Sequence, residues 1–285
     1  MTARPLRSLL FVPGDSQKKI ERSADSAADA IILDLEDSVH PSAKPQARLM
    51  VAQALRKDMQ PMRMVRVNPY GTPEFNLDLE ALQGCRPEAV VLPKCASLQD
   101  IVAVSERLDA LGWSGTEVKL LPVATESARA VRNLMRNDWS HPRLLGLTWG
   151  AEDIAADIGA LENRIDGSYT GVFCLARELC LLAAREASVL ALDTAFMDVR
   201  DTAGCEAEAG RSYRTGFDGK LAIHPSQVEI INQAFTPGAA QIKWAQKVLQ
   251  ALDQSGEGVA MLDGKMIDMP HQRSAEKILR AVAAR

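Results

Sequence analysis

The sequence predicts an α/β protein: a TIM (β/α)8 barrel with a C-terminal helical extension. Three observations carry this expectation. Short apolar, β-branched runs that stop at Gly, Pro, Asp or Glu recur eight times along the chain. Helix-length segments separate them, the pattern of repeated βα units. The 285 residues also match the roughly 250 that such a barrel uses as a single domain, with an appendage left over. An open doubly wound sheet usually carries about five or six strands and often a Gly-rich phosphate turn after the first. The first turn here, Val12-Pro13-Gly14-Asp15, is not of that kind.

In chain order the eight runs are residues 8–12, 30–35, 62–67, 89–92, 118–124, 144–148, 195–199 and 221–223, with one longer gap before the seventh. Helix signals lie between them. Asp15-Ser16 offers caps for a helix over 17–27, Ser97 for 98–111 and Ser226 for 227–235. Beyond the eighth unit, Pro237-Gly238 makes a turn, helices are expected over 241–252 and 274–284, and a Gly-containing turn over 255–258. The expected division is a barrel domain over 1–235 and a helical extension or lid over 236–285, packed on the barrel or on a neighbouring subunit because it cannot bury much alone.

Composition narrows the function classes. Charged residues are 25% and hydrophobic residues 47%, with 33 Lys+Arg against 37 Asp+Glu, the balance of an ordinary globular protein. A net charge of -4 with only 5% aromatics gives neither the basic surface nor the stacking platforms of a nucleic-acid binder. The longest greasy region, 173–192, is broken by Arg177, Glu178, Arg185 and Glu186, so no membrane partner is expected. Residues 1–7 carry Arg4 and Arg7 but lack a small-residue cleavage site, which makes the cytoplasm the expected address. Five cysteines with no C-x-x-C pair read as reduced thiols rather than a disulfide or zinc framework.

In a barrel the residues just past the C-terminal strand ends share one mouth, where catalysis occurs. Those positions hold Arg7 and Gly14, then Asp34, Glu36 and Asp37, then Arg66 and Asn68, Lys94, Glu126, Glu152 and Asp153, Asp198 and Asp201, and His224. Crowded carboxylates raise one another's pKa values unless a cation neutralises them, and a hard divalent metal with oxygen ligands is the economical answer. Mg2+ is expected rather than zinc. Acidic residues at strand-to-helix turns also cap helices, and Asp15, Glu152 and Asp201 suit that role. Lys94 reads as a salt-bridge partner in the mouth, and His224-Pro225 as a fixed turn.

The ordered motifs Arg7-Ser8-Leu9-Leu10-Phe11-Val12-Pro13-Gly14, Asp34-Leu35-Glu36-Asp37-Ser38, Val65-Arg66-Val67-Asn68-Pro69, Leu92-Pro93-Lys94, Ala124-Thr125-Glu126-Ser127-Ala128-Arg129, Trp149-Gly150-Ala151-Glu152-Asp153, Ile223-His224-Pro225-Ser226 and Asp263-Gly264-Lys265-Met266-Ile267-Asp268 resemble the citrate lyase β-subunit-like branch of the HpcH/HpaI aldolase family. The resemblance implies a Mg2+-dependent carbon–carbon lyase acting on a 3-hydroxyacyl-CoA thioester such as citramalyl-CoA or malyl-CoA, usually a homotrimer or a dimer of trimers. Carried over by motif, Glu126 and Asp153 hold Mg2+, and Glu126 also borders the substrate. Arg66 stabilises the enolate oxygen, and Arg7, Pro13, Gly14 and Arg66 contact substrate or CoA. Glu36 and Asp37 orient water in the metal's coordination sphere, and Asp268 serves as acid/base in a neighbouring subunit's site. Ser127 and Ala130 depart from the family's usual Thr and Gly after the fifth strand.

Three other readings stand beside this one. A citryl-thioester lyase β-subunit acting on an acyl carrier protein would need a docking surface rather than a nucleotide pocket. A non-catalytic CoA-binding barrel predicts broken metal ligands, whereas Glu126 and Asp153 are both present. A Schiff-base aldolase would use Lys94 as nucleophile.

Overall fold

The computed structural model describes residues 5–113, 117–256 and 258–283. The first half contains β1 (Ser8–Pro13), α1 (Gln17–Ser23), β2 (Ala30–Asp34), α2 (Lys44–Leu55), β3 (Met62–Arg66), α3 (Pro73–Ala81), β4 (Ala89–Leu92), α4 (Leu98–Ala110), β5 (Lys119–Pro122) and α5 (Ala128–Leu134). The second half continues with β6 (Gly146–Thr148), α6 (Glu152–Ile158), β7 (Arg164–Ile165), β8 (Ser168–Tyr169), α7 (Val172–Glu186), β9 (Leu190–Asp193), α8 (Thr202–Thr215), β10 (Gly219–Ala222) and α9 (Pro225–Ala234). The tail carries α10 (Ala239–Ser255), β11 (Ala260–Leu262), β12 (Lys265–Ile267) and α11 (Met269–Ala283).

Eight parallel strands lie in the order β5-β4-β3-β2-β1-β10-β9-β6, and bridges from Leu120 to Leu144 and from Val123 to Thr148 bring β5 against β6. This is a TIM barrel. Both faces of each strand are buried, which is why the strands read as near-continuous apolar runs. Leu9, Ile32, Met64, Val91, Val123 and Leu192 fill the interior. Leu10, Ile31, Val65, Val90 and Leu147 face the helices. Register partners share a face, so Pro13, Asp34 and Arg66, paired in sequence across β1, β2 and β3, point inward together at the C-terminal rim.

One strand is displaced from its expected place. The seventh barrel strand is Leu190–Asp193, not 195–199. Its apolar residues follow α7 so closely that they merge with the helix in the sequence, and Ser188, with φ 56, breaks the two apart. The longer gap before it holds the small β7–β8 hairpin. Helix ends differ as well: α1 stops at Ser23, and α9 starts at Pro225 with His224 as its cap in place of Ser226. Ser97 caps α4 as expected, accepting from the Asp100 N–H.

In the tail, α10 runs longer than its expected span and α11 begins at Met269 rather than 274. Ala284, and Glu257 in the expected turn, lie outside the described residues. Ala245, Val248, Leu252, Ile267 and Ala275 form the tail's own apolar cluster. Lys277 fastens α11 to the barrel through Asp218, Nζ to Oδ1 2.8 Å, just ahead of the N-terminal end of β10. Among the described residues, no helix is long and apolar enough to cross a membrane.

Candidate active site

Arg66 ends β3 with its guanidinium turned into the mouth. Its Nε and Nη2 donate to Asp34 Oδ1 and Oδ2 at 2.7 and 2.6 Å, and its carbon lies 4.7 Å from the Phe11 ring centre. Arg66 Nη1 reaches Glu36 Oε2 at 3.1 Å without hydrogen-bond geometry, so that buried oxygen has no hydrogen-bond partner among the described residues. Burial alone would push the Asp34 carboxyl up, but the Arg66 hydrogen bonds and charge hold it below the usual range. Glu36 goes the other way: its burial outweighs Arg66 and Lys94 and raises its pKa.

Glu126 follows β5 and is 6% exposed. Burial, with Asp153 and Glu36 nearby, pushes its carboxyl up to about 8, although the Lys94 backbone N–H donates to Oε2. Lys94 itself adopts φ 52, a left-handed conformation worth about 1–3 kcal/mol of strain in a non-Gly residue. The Lys94 ammonium hydrogen-bonds Glu36 and lies 3.4 Å from Asp37 and 3.5 Å from Asp153. Burial would lower its pKa, but the Glu36 hydrogen bond and the surrounding carboxylates raise it. A protonated amine cannot attack a carbonyl, so Lys94 is not set up as a Schiff-base nucleophile.

The β6–α6 turn brings Asp153 to this cluster. The Gly150 N–H donates to Thr125 Oγ1 at 3.0 Å, and the Trp149 indole N–H donates to Asp193 Oδ1 at 2.7 Å. A side chain at position 150 would crowd the Glu126 stem, with Cγ at 3.1 Å. The site fits a hard divalent cation such as Mg2+. It offers oxygen donors only, one of them buried with a proton affinity far above normal and poorly compensated by its neighbours. Among the described residues no three His, Cys, Asp or Glu converge tightly enough to enclose a metal by themselves.

Glu36, Asp37, Arg66, Lys94, Glu126 and Asp153 are thus brought together. Pro13 and Gly14 sit at the same rim, where the Gly14 N–H donates to Asp34 O at 2.8 Å and leaves no room for a Cβ. Arg7 is not part of this rim. It precedes β1, at the opposite end of the barrel, with Nε 2.8 Å from Asp29 Oδ2 and Nη1 3.2 Å from Thr236 Oγ1. A six-residue strand separates it from Gly14, so its place in a mouth contacting substrate or CoA is corrected to the N-terminal end. A cavity of about 850 Å³, lined in part by Leu6, Arg7, Leu190 and Phe217, lies at that same end, so size does not mark the site.

Asp268 joins none of these groups by a hydrogen bond or ion pair among the described residues. Its Oδ1 lies 2.6 Å from His271 Nδ1 at the start of α11. His224 and Asp201 are caps, accepting from the Ser226 and Gly204 N–H groups. Four cysteines are buried and Cys174 is exposed, all of them free thiols. Sequence reasoning missed Thr125 and the Trp149–Asp193 contact. Thr125 adjoins Glu126 inside a recognised motif, but Asp193 lay within a strand read one step late.

The HpcH/HpaI aldolase/citrate lyase family model matches residues 7–225, and that of the C–C bond lyases of the TIM-barrel fold matches 182–284. The (3S)-malyl-CoA thioesterase of Cereibacter sphaeroides is 34% identical over 99% of this chain and 96% of its own length. The L-malyl-CoA/beta-methylmalyl-CoA lyase of the same organism is 34% identical over 98% and 95%. The crystal structure of CitE from Mycobacterium tuberculosis in complex with magnesium, acetoacetate and coenzyme A superposes with a TM-score of 0.84 at 33% identity, covering 99% of this chain and 100% of that one.

Proposed function

The chain belongs to the HpcH/HpaI aldolase/citrate lyase family, and from that premise we propose that it is a Mg2+-dependent carbon–carbon lyase of 3-hydroxyacyl-CoA thioesters. It splits a malyl-CoA or citramalyl-CoA type substrate into acetyl-CoA and a 2-oxo acid, or runs the condensation in reverse. One observation carries this reading: a buried carboxylate, Glu126, and a half-buried one, Asp153, stand beside a guanidinium fixed in orientation, Arg66, at one barrel rim. Relatives bearing lyase, thioesterase and magnesium–coenzyme A descriptions support it. The working form is a cytoplasmic homotrimer in which 1–235 forms the catalytic barrel and 236–285 a lid over a neighbouring subunit.

Glu126 and Asp153 would hold Mg2+, which supplies Lewis-acid polarisation of the substrate's hydroxyl or keto oxygen and carboxylate. Arg66 donates to the thioester oxygen as it gains enolate charge, a contribution of roughly 3 kcal/mol for one well-placed donor. Arg suits the task because it stays protonated and its planar fork is already oriented by Asp34. Glu36 and Asp37 receive the Lys94 ammonium, which keeps the rim from becoming uniformly negative. In the cleavage direction the substrate's 3-hydroxyl gives up its proton to a general base as the C–C bond breaks and the keto acid forms, and Asp268 of the neighbouring subunit protonates the α-carbon of the enolate, completing acetyl-CoA.

Turnover of malyl-, citramalyl-, methylmalyl- and citryl-CoA with Mg2+ and with EDTA tests this reading. Mg2+-dependent release of acetyl-CoA and a 2-oxo acid from at least one of the four is expected, and no release from any of them overturns it. A second reading, thioester hydrolysis through the same enolate site, is favoured by the thioesterase relative. It is separated by the products, since hydrolysis liberates a free CoA thiol and the intact hydroxy acid.

A further inference from the structure

We infer that Thr125 is a positioning residue that sets the spacing between Glu126 and Asp153; this deepens the metal-site reading above and rests on it. Thr125 is fully buried and immediately precedes Glu126. Its hydroxyl makes two contacts, both with the backbone of Gly150. Oγ1 accepts the Gly150 N–H at 3.0 Å and donates to the Gly150 carbonyl at 3.3 Å. Gly150 lies three residues before Asp153, and its missing side chain leaves room for the Glu126 stem. One hydroxyl therefore ties the end of β5, which carries one carboxylate, to the turn that carries the other.

The rest of the turn is held on its far side. The Trp149 indole N–H is fixed by Asp193, whose other oxygen takes the Ser212 hydroxyl at 2.5 Å and the Lys220 ammonium at 3.1 Å. The Ala128 N–H holds α6 by its Asp157 carboxylate at 2.7 Å. With those anchors intact, loss of the Thr125 hydroxyl frees only the N–H and carbonyl of Gly150. Groups that orient metal ligands this way change affinity by about 10- to 100-fold when removed.

The test compares Thr125→Val, which keeps the shape and removes the hydroxyl, with Thr125→Ser, which keeps the hydroxyl. Ser8→Ala is the control, because it deletes a buried hydrogen bond to Asn232 near the opposite end of the barrel. Mn2+ affinity is read by titration calorimetry, and melting temperature alongside it, on the full-length protein. Thr125→Val is expected to bind Mn2+ at least about 10-fold more weakly, Thr125→Ser within about 3-fold of wild type, and Ser8→Ala unchanged despite a lowered melting temperature. Unchanged Mn2+ affinity in Thr125→Val overturns the inference. So does equal weakening in Val and Ser, which would trace the effect to packing, or equal weakening in Ser8→Ala, which would trace it to stability. If the wild type binds no Mn2+, the metal reading itself fails and takes this inference with it.

Discussion

Arg66 and Asp34, register partners at the ends of β3 and β2, form a two-point ion pair with Nε to Oδ1 at 2.7 Å and Nη2 to Oδ2 at 2.6 Å. The pair fixes the plane of the guanidinium and commits its Nε–Nη2 edge. What remains toward the mouth is the Nη1 side, next to Glu36. Such a group stabilises charge at one defined point rather than wherever a flexible cation could swing.

Arg66→Lys therefore keeps the charge and loses the fixed direction. On the proposed substrates kcat is expected to fall by about 10²-fold or more with a smaller change in KM, since the lost contact strengthens only as enolate charge develops. Steady-state kinetics decide it. A raised KM with unchanged kcat would make Arg66 an anchor for the bound substrate instead.

Glu126→Ala and Asp153→Ala are each expected to abolish turnover and weaken Mg2+ binding, because a Mg2+ site takes only one or two carboxylates from the protein. Calorimetric Mg2+ titration checks the binding half independently of activity. Wild-type turnover in either variant removes that residue from the metal site.

The Glu126 carboxyl at about 8, raised by burial and then by Asp153 and Glu36 against an ordinary 4.5, makes a pH prediction with a definite sign. Between these values the folded, metal-free chain holds a proton that the unfolded chain has released. Stability thus falls as pH rises through the window and is lowest above pH 8. Mg2+ has to displace the same proton, so its affinity is expected to increase from pH 6 to 8 with proton release. Melting curves and calorimetry in two buffers measure both. Glu126→Gln should flatten the melting trend without abolishing it, since the pKa of Glu36 is raised as well.

Borohydride reduction in the presence of a keto acid is expected to leave Lys94 unmodified. Its ammonium is claimed by Glu36, Asp37 and Asp153, and these carboxylates keep it charged. A mass increase on the Lys94 peptide would reinstate the Schiff-base mechanism.

The barrel was legible because burial of both strand faces leaves near-continuous apolar runs, and the rim because acids and Arg66 stop those runs at comparable positions. Arg7 misled because it opens a motif whose Pro13-Gly14 end does reach the rim, while its own strand has yet to begin, and direction along β1 sends it to the opposite end. Leu190–Asp193 was hidden by α7, whose apolar face continues into the strand with only Ala187, the left-handed Ser188 and Val189 between them. The Thr125–Gly150 tie was illegible for a different reason. A hydroxyl bonded to a peptide 25 residues away leaves no periodicity behind.

Asp268 gives the last prediction. It follows β12, and its carboxylate meets His271 rather than any group at the mouth of its own barrel. The same stretch exposes Met261, Met266 and Met269 to solvent, a flexible apolar surface of the kind that packs against another chain. If Asp268 works in a neighbouring subunit's site, Asp268→Asn should fold, assemble and bind Mg2+ normally, yet turn over about 10²- to 10⁴-fold more slowly, the range a placed acid or base contributes. Mixed with inactive Glu126→Ala under subunit exchange, it should regain part of the activity, because some interfaces then pair an intact metal site with an intact Asp268. Exchange is monitored by mass spectrometry of the mixed oligomers. Proven exchange without recovery would place Asp268 in its own subunit or outside the reaction. A monomer with full activity would remove the neighbouring subunit from the chemistry.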